Sequence, residues 1–171
     1  VIFSYKTFKD TRGNFYEIYK KSEINFLNYK FNIKQINSSL SKKNVIRGLH
    51  LQVNPKMSKI MRLIKGKAIF FAFDVSKKNK KNKIHTKLVN ENDPIHIWAP
   101  YYYARGFLSL SNNTMIEYLC DAEYNPFNEH TINIFDNDIN HGLKNKKYIL
   151  SNKDLNAQSI KQFREKNIIR I

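Results

Sequence analysis

The sequence predicts an all-β sandwich or barrel, and three observations carry that prediction. Short runs rich in Phe, Ile, Val and Tyr recur between Gly, Asn, Asp and Pro breaks. Several of these runs alternate with the period of two that a half-buried strand requires. Helical character is confined to two short stretches, near 22–29 and 154–164.

Residues 15–19 are the first candidate strand, followed over 22–29 by a short helix opened by a Ser22 cap. Residues 33–39 alternate, with Ile33, Gln35 and Asn37 on one face and Lys34, Ile36 and Ser38 on the other. The next strand, 45–52, reads Val-Ile-Arg-Gly-Leu-His-Leu-Gln. Strict alternation there places Gly48, His50 and Gln52 on one face, and Arg47, Leu49 and Leu51 on the other. Strands at 59–64 and 67–75 flank Lys65-Gly66, which reads as a hairpin turn. The unbroken apolar run 68–73 asks for cover on both faces. Further strands are expected at 83–89, 95–99, 106–109 and 115–120, and the tail from Asp154 to Arg164 has helical composition. There is no internal repeat and no linker, so a single domain over 1–171 is expected, with a helical tail from about residue 154.

Composition bounds the function. The hydrophobic fraction of 42% and aromatic fraction of 13% are those of a globular chain rather than a disordered one. A single cysteine, Cys120, rules out an intrachain disulfide and suits a reducing compartment. No apolar run is long enough to cross a membrane and no signal peptide is visible, so a cytoplasmic location is the default expectation. The formal charge of +16 invites a nucleic-acid reading. The lysines, however, concentrate at 77–83 and 144–147, which read as solvated loops, while the aromatics fall in apolar strands. Neither nucleic acid nor membrane is therefore an expected partner. A positive field would still gather an anionic substrate such as a nucleotide diphosphate.

The polar groups expected inside the β structure need a reason to be there. Metal binding is disfavoured, because the five histidines (His50, His85, His96, His130 and His141) contain no His-x-His pair and there is no cysteine cluster. Cys120 sits in an apolar strand, as a packed core thiol does. No Gly-x-Ser-x-Gly elbow and no glycine-rich phosphate loop is present. What remains is acid–base chemistry by His, Tyr, Lys and Asp.

Six motifs in order then resemble one family. Asp10-Thr-Arg12-Gly13-Asn-Phe15-Tyr-Glu17, Gln35-Ile-Asn37-x-Ser39, residues 45–52, Lys59-Ile-Met-Arg62 with Gly66, Glu117-Tyr118 with Tyr124-x-Pro126-x-x-Glu129, and Ile149-Leu-Ser-Asn-Lys-Asp154 are similar to motifs of the dTDP-4-dehydrorhamnose 3,5-epimerases. The resemblance implies a cupin-type β jelly roll with short flanking helices, a homodimer exchanging N-terminal strands, and a site without metal or cofactor. It also implies a nucleotide-linked 4-keto-6-deoxy sugar as substrate, inverted at C3, C5 or both through an enolate, in deoxysugar and surface-polysaccharide biosynthesis. In this reading His50 is the base, Asp154 its orienting partner, Tyr118 the acid on the far face, and Lys59 the electrostatic stabiliser of the enolate. Arg12, Glu17, Gln35, Asn37, Arg47, Gln52 and Arg105 would hold the sugar, nucleotide or diphosphate.

One stretch departs from the family pattern. Ala99-Pro-Tyr-Tyr-Tyr-Ala-Arg105-Gly-Phe107 stands where the family usually reads Ile-Pro-x-Gly-Phe-Ala-His-Gly-Phe. An arginine cannot shuttle protons but can anchor an oxygen. It therefore leaves open a single-centre epimerase, or one acting on a GDP-linked 4-keto-heptose. A metal-dependent or non-enzymatic cupin is a further alternative. Each site residue also has a structural rival; Asp154, for example, could cap the helix it precedes.

Overall fold

The computed structural model describes residues 1–27, 29–139, 141–143, 147–166 and 169. In chain order the strands begin with β1 (Ile2–Ser4), β2 (Lys6–Asp10), β3 (Gly13–Glu17), β4 (Gln35–Ser41) and β5 (Ile46–Val53). They continue with β6 (Lys56–Met57), β7 (Lys59–Lys65), β8 (Lys67–Asp74) and β9 (Ile84–Asn90). The last are β10 (Ile95–Ala99), β11 (Tyr103–Ser109), β12 (Thr114–Cys120) and β13 (Glu129–Thr131). Two short helices follow, α1 (Asn152–Leu155) and α2 (Ile160–Glu165). Among the described residues no helix is long and apolar enough to cross a membrane.

Two antiparallel sheets face each other. One is five-stranded, in the order β1-β10-β7-β12-β4; the other is six-stranded, in the order β13-β5-β11-β8-β9 with β6 beside β5. Apart from β8 and β9, which pair as neighbours, the main strands from β4 to β12 alternate between the sheets. That is the double Greek key of a jelly roll. β2 and β3 form a separate two-stranded hairpin.

Apolar residues fill three layers. Met61, Leu63, Phe70, Ile97, Phe107 and Ile116 pack between the sheets. Behind the six-stranded sheet, Leu49, Leu51, Phe71, Phe73 and Leu108 are covered by Ile132, Ile134, Ile139 and, from α2, Ile160 and Phe163. Behind the five-stranded sheet, Ile60 and Leu119 pack on Ile24 and Phe31. The apolar run of β8 is thus covered on both faces, as expected. Each fully buried large side chain contributes roughly 1.5–3 kcal/mol, so this core can carry several buried polar groups. Cys120 is a free, buried thiol whose pKa burial pushes up.

Several expectations are corrected. Lys65-Gly66 is not a hairpin, because β7 and β8 lie in different sheets. It is a corner at which the chain changes sheet. Gly66 has φ 89°, and a Cβ there would meet Ser111 Oγ at 2.5 Å. The expected helix at 22–29 is a 3-10 turn, Lys21–Leu27, and the helical tail is broken into α1 and α2. β1, β2, β6 and β13 were not anticipated. The lysines at 77, 78, 80, 81 and 83 are exposed, whereas Lys144 and Lys146 of the second basic run lie outside the described residues.

Candidate active site

A cavity of about 480 Å³ opens between the sheets. Asn37 and Ser39 of β4, Lys59 of β7 and Tyr118 of β12 line one wall; Arg47 and His50 of β5 and Arg105 of β11 line the other. Ser151 and Asp154, at the start of α1, close it.

The face assignment of β5 is corrected by a β-bulge. Arg47 pairs with Phe107 and His50 with Arg105, so three steps along β5 match two along β11. The extra residue cancels the alternation. Arg47 and His50, expected on opposite faces, therefore share one cavity, while Leu49 and Leu51 join the apolar layer behind. Gly48, at the bulge, has φ 119°, and a Cβ there would lie 2.7 Å from Arg105 O and from Gly106 Cα.

His50 Nε2–H donates to Asp154 Oδ1 at 2.6 Å. Asp154 Oδ2 accepts from Ser151 Oγ at 2.8 Å. Ser151, not Asp154, is the N-cap of α1, which leaves the carboxylate free to face the imidazole. Burial alone would raise the Asp154 pKa, but His50, Ser151 and the Gly48 backbone outweigh it and hold the carboxyl below its ordinary value. The other ring nitrogen, Nδ1, stands 4.0 Å from Glu129 Oε1.

Across the cavity, burial pushes the Tyr118 phenol up to about 12, so it stays a proton donor at neutral pH. Its hydroxyl is 3.2 Å from Ser39 Oγ. The Lys59 ammonium lies 5.7 Å from the centre of the Tyr118 ring. Burial, then the charge of Arg105, lowers its pKa. Burial also brings Arg105 down to about 10.

The structure does not bring every expected site residue together. Gln52 is buried outside the cavity lining; its amide donates to Pro55 O and Glu123 O and accepts from Asn125 N–H, so both ends are tied to backbone. Gln35 stands behind Asn37, donating to its Oδ1 at 2.8 Å. Arg12 and Glu17 lie on the β2–β3 hairpin, away from the cavity. Arg12, with 88% of its side chain exposed, pairs only with Asp10 among the described residues.

One residue without an assigned role, Glu129, stands beside His50, and a second, Lys153, is joined to it. Glu129 accepts from Tyr124 OH at 2.9 Å and is ion-paired with Lys153, next to Asp154 in sequence. Their sequence signal was their place within the Tyr-x-Pro-x-x-Glu and Lys-Asp motifs.

Comparison with known proteins agrees with this arrangement. A family model described as dTDP-4-dehydrorhamnose 3,5-epimerase matches residues 1–162. The dTDP-4-dehydrorhamnose 3,5-epimerase of Shigella flexneri is 32% identical over 162 residues, which are 92% of this chain and 89% of the relative. That of Mycobacterium tuberculosis is 32% identical over 126 residues, 72% of this chain, and the match spans 62% of that relative's length. The solved dTDP-6-deoxy-D-glucose-3,5-epimerase of Legionella pneumophila, in complex with dTDP-4-keto-L-rhamnose, is similar with a TM-score of 0.91 at 26% identity. That likeness covers 99% of this chain and 92% of the other. The fold is the cupin-like β sandwich of these structures.

Proposed function

The chain belongs to the dTDP-4-dehydrorhamnose 3,5-epimerase family, and from that premise we propose that it inverts C3 and C5 of a dTDP-linked 4-keto-6-deoxy sugar. The observation that carries the reading is the placing of a carboxylate-held histidine and a buried, protonated tyrosine on opposite walls of one cavity. A C4 ketone acidifies the hydrogens on C3 and C5. With Nε2–H held by Asp154, the lone pair on Nδ1 takes the proton. Asp154 and Glu129 stabilise the imidazolium, and Lys59 stabilises the enolate oxygen. Tyr118, from the other sheet, returns a proton to the opposite face of the carbon, which inverts it.

We further infer that the working unit is a homodimer exchanging its N-terminal hairpin. The hairpin exposes Phe8 and Phe15, and the edge strand β4 exposes Ile36 and Leu40. Exchange would carry Arg12 and Glu17 from one copy to the nucleotide end of the other's cavity. NMR of dTDP-4-keto-6-deoxyglucose in D2O tests the activity. Deuterium should enter at both C3 and C5, with the inverted product formed. Exchange at one centre would reduce the reading to a single-centre epimerase, and no exchange at either would refute it.

A further inference from the structure

Arg105 is 4% exposed, and among the described residues no carboxylate bonds to its guanidinium. Nη1 donates to Pro100 O at 3.1 Å and Tyr103 O at 3.0 Å, and Nη2 to Met57 O at 2.6 Å. The Nε–H is buried and has no acceptor among the described residues. A buried charge without a counter-ion and a buried donor without an acceptor both cost free energy. Arg105 is among the residues that line the cavity, so a ligand oxygen brought against its guanidinium would repay part of that cost.

The position of the group narrows which oxygen. Arg105 lies directly opposite His50 in the β5–β11 register, so their Cβ atoms are on the order of 5 Å apart. Lys59 enters the same cavity from the other sheet and likewise has no carboxylate partner among the described residues. A base on one strand and two cations around the same space suit a carbon acid whose oxygen is one atom away from the carbon being deprotonated.

We propose that Arg105 is a second catalytic electrophile of this site, sharing with Lys59 the ketone oxygen of the bound sugar as it becomes an enolate oxygen. The proposal rests on the keto-sugar reading above. In the step, His50 takes the proton from C3 or C5, and the C–H electron pair becomes the new carbon–carbon double bond. The carbonyl π pair moves onto the C4 oxygen, between the Arg105 guanidinium and the Lys59 ammonium. Protonation of the carbon reverses the shift, so nothing is oxidised or reduced. The three carbonyls that hold Arg105 fix the guanidinium plane before substrate arrives, as electrostatic preorganisation requires.

The test compares turnover and D2O exchange at C3 and C5 for the wild type, Arg105→Gln, Arg105→Lys, and Arg105→Ala with and without millimolar guanidinium chloride. Removing one such donor should lower kcat about a hundredfold, with KM changed by less than about threefold. Arg105→Lys should recover part of the loss, and guanidinium should restore Arg105→Ala in a saturable way. A folded Arg105→Gln with near-normal kcat, or a loss confined to KM, would overturn the assignment. So would a loss that guanidinium leaves untouched, the mark of a purely structural clamp. Lys59→Met gives a second measurement that leaves Arg105 intact. Exchange persisting well above the buffer rate supports a shared oxygen, and exchange at the buffer rate refutes it. A wild type that exchanges neither centre of any 4-keto sugar would instead sink the underlying functional reading.

Discussion

The cavity between the sheets and the N-terminal hairpin are built on opposite plans. Around the cavity most reactive groups already have protein partners: His50 has Asp154, Asp154 has Ser151, and Arg105 has three carbonyls. On the hairpin, Arg12 bonds only within its own turn among the described residues, and Phe8 and Phe15 face solvent. A group that must move protons needs fixed geometry, which a packed core supplies. A group that only holds an anion can be delivered on a mobile or exchanged element. The contrast predicts that chemistry and recognition fail separately.

The largest effect should come from His50→Asn. Loss of the base should lower exchange at both centres by at least about a thousandfold, read by NMR in D2O, with no change in assembly. Exchange near the wild-type rate would place the base elsewhere. Tyr118→Phe should be milder for exchange than for inversion: deuterium still enters on the His50 side, while formation of inverted product falls about a hundredfold. Equal losses in both would mean that Tyr118 does not act as a separate acid.

The joint between the two regions should be sensitive to pH. His96 is buried under the N-terminal segment, with its ring 5.2 Å from that of Phe3 and 4.9 Å from that of Tyr5. Burial, then the Arg62 charge, depresses its pKa from 6.5 to about 4. A depressed folded pKa means that the unfolded chain binds the proton first as pH falls. The stabilising contribution is therefore complete above pH 6.5 and is lost as pH drops towards 4, amounting to about 3 kcal/mol. His96→Phe should flatten that part of a denaturation-versus-pH curve; an unchanged slope would assign the loss to other groups. The smallest effect belongs to the hairpin. Arg12→Ala should raise KM about tenfold, as loss of one charged hydrogen bond does, with kcat nearly unchanged. Mixing Arg12→Ala with His50→Asn subunits should return the KM of the sites that keep His50 to the wild-type value if the hairpin is exchanged, and should leave it raised if each chain works alone.

What the sequence made legible follows the same division. The β class was readable because strand periodicity is local, and His50, Lys59, Tyr118 and Asp154 were readable because their motifs are contiguous. All four line the cavity. The Gly66 corner was not readable: Lys-Gly signals a reversal, but whether the next strand pairs with the last one or crosses to the other sheet depends on distant partners. The face of Arg47 was misread for a related reason, since a bulge exists only relative to the strand it pairs with. Gln52 looked functional because a buried amide is costly, yet backbone groups of residues 55, 123 and 125 satisfy it.

The bulge also couples positions that tolerate no independent change. Gly48 and Gly106 sit back to back: a Cβ on Gly106 would lie 2.4 Å from Arg47 O, and one on Gly48 would lie 2.7 Å from Gly106 Cα. Any side chain at either place must push the two strands apart, displacing Arg47, His50 and Arg105 together. In a mutational library these glycines would behave as one locked pair, silent in any activity screen because no variant survives there. Selection for a new sugar would have to leave them alone and explore the neighbours of Arg105, where the register stays intact while the pocket changes.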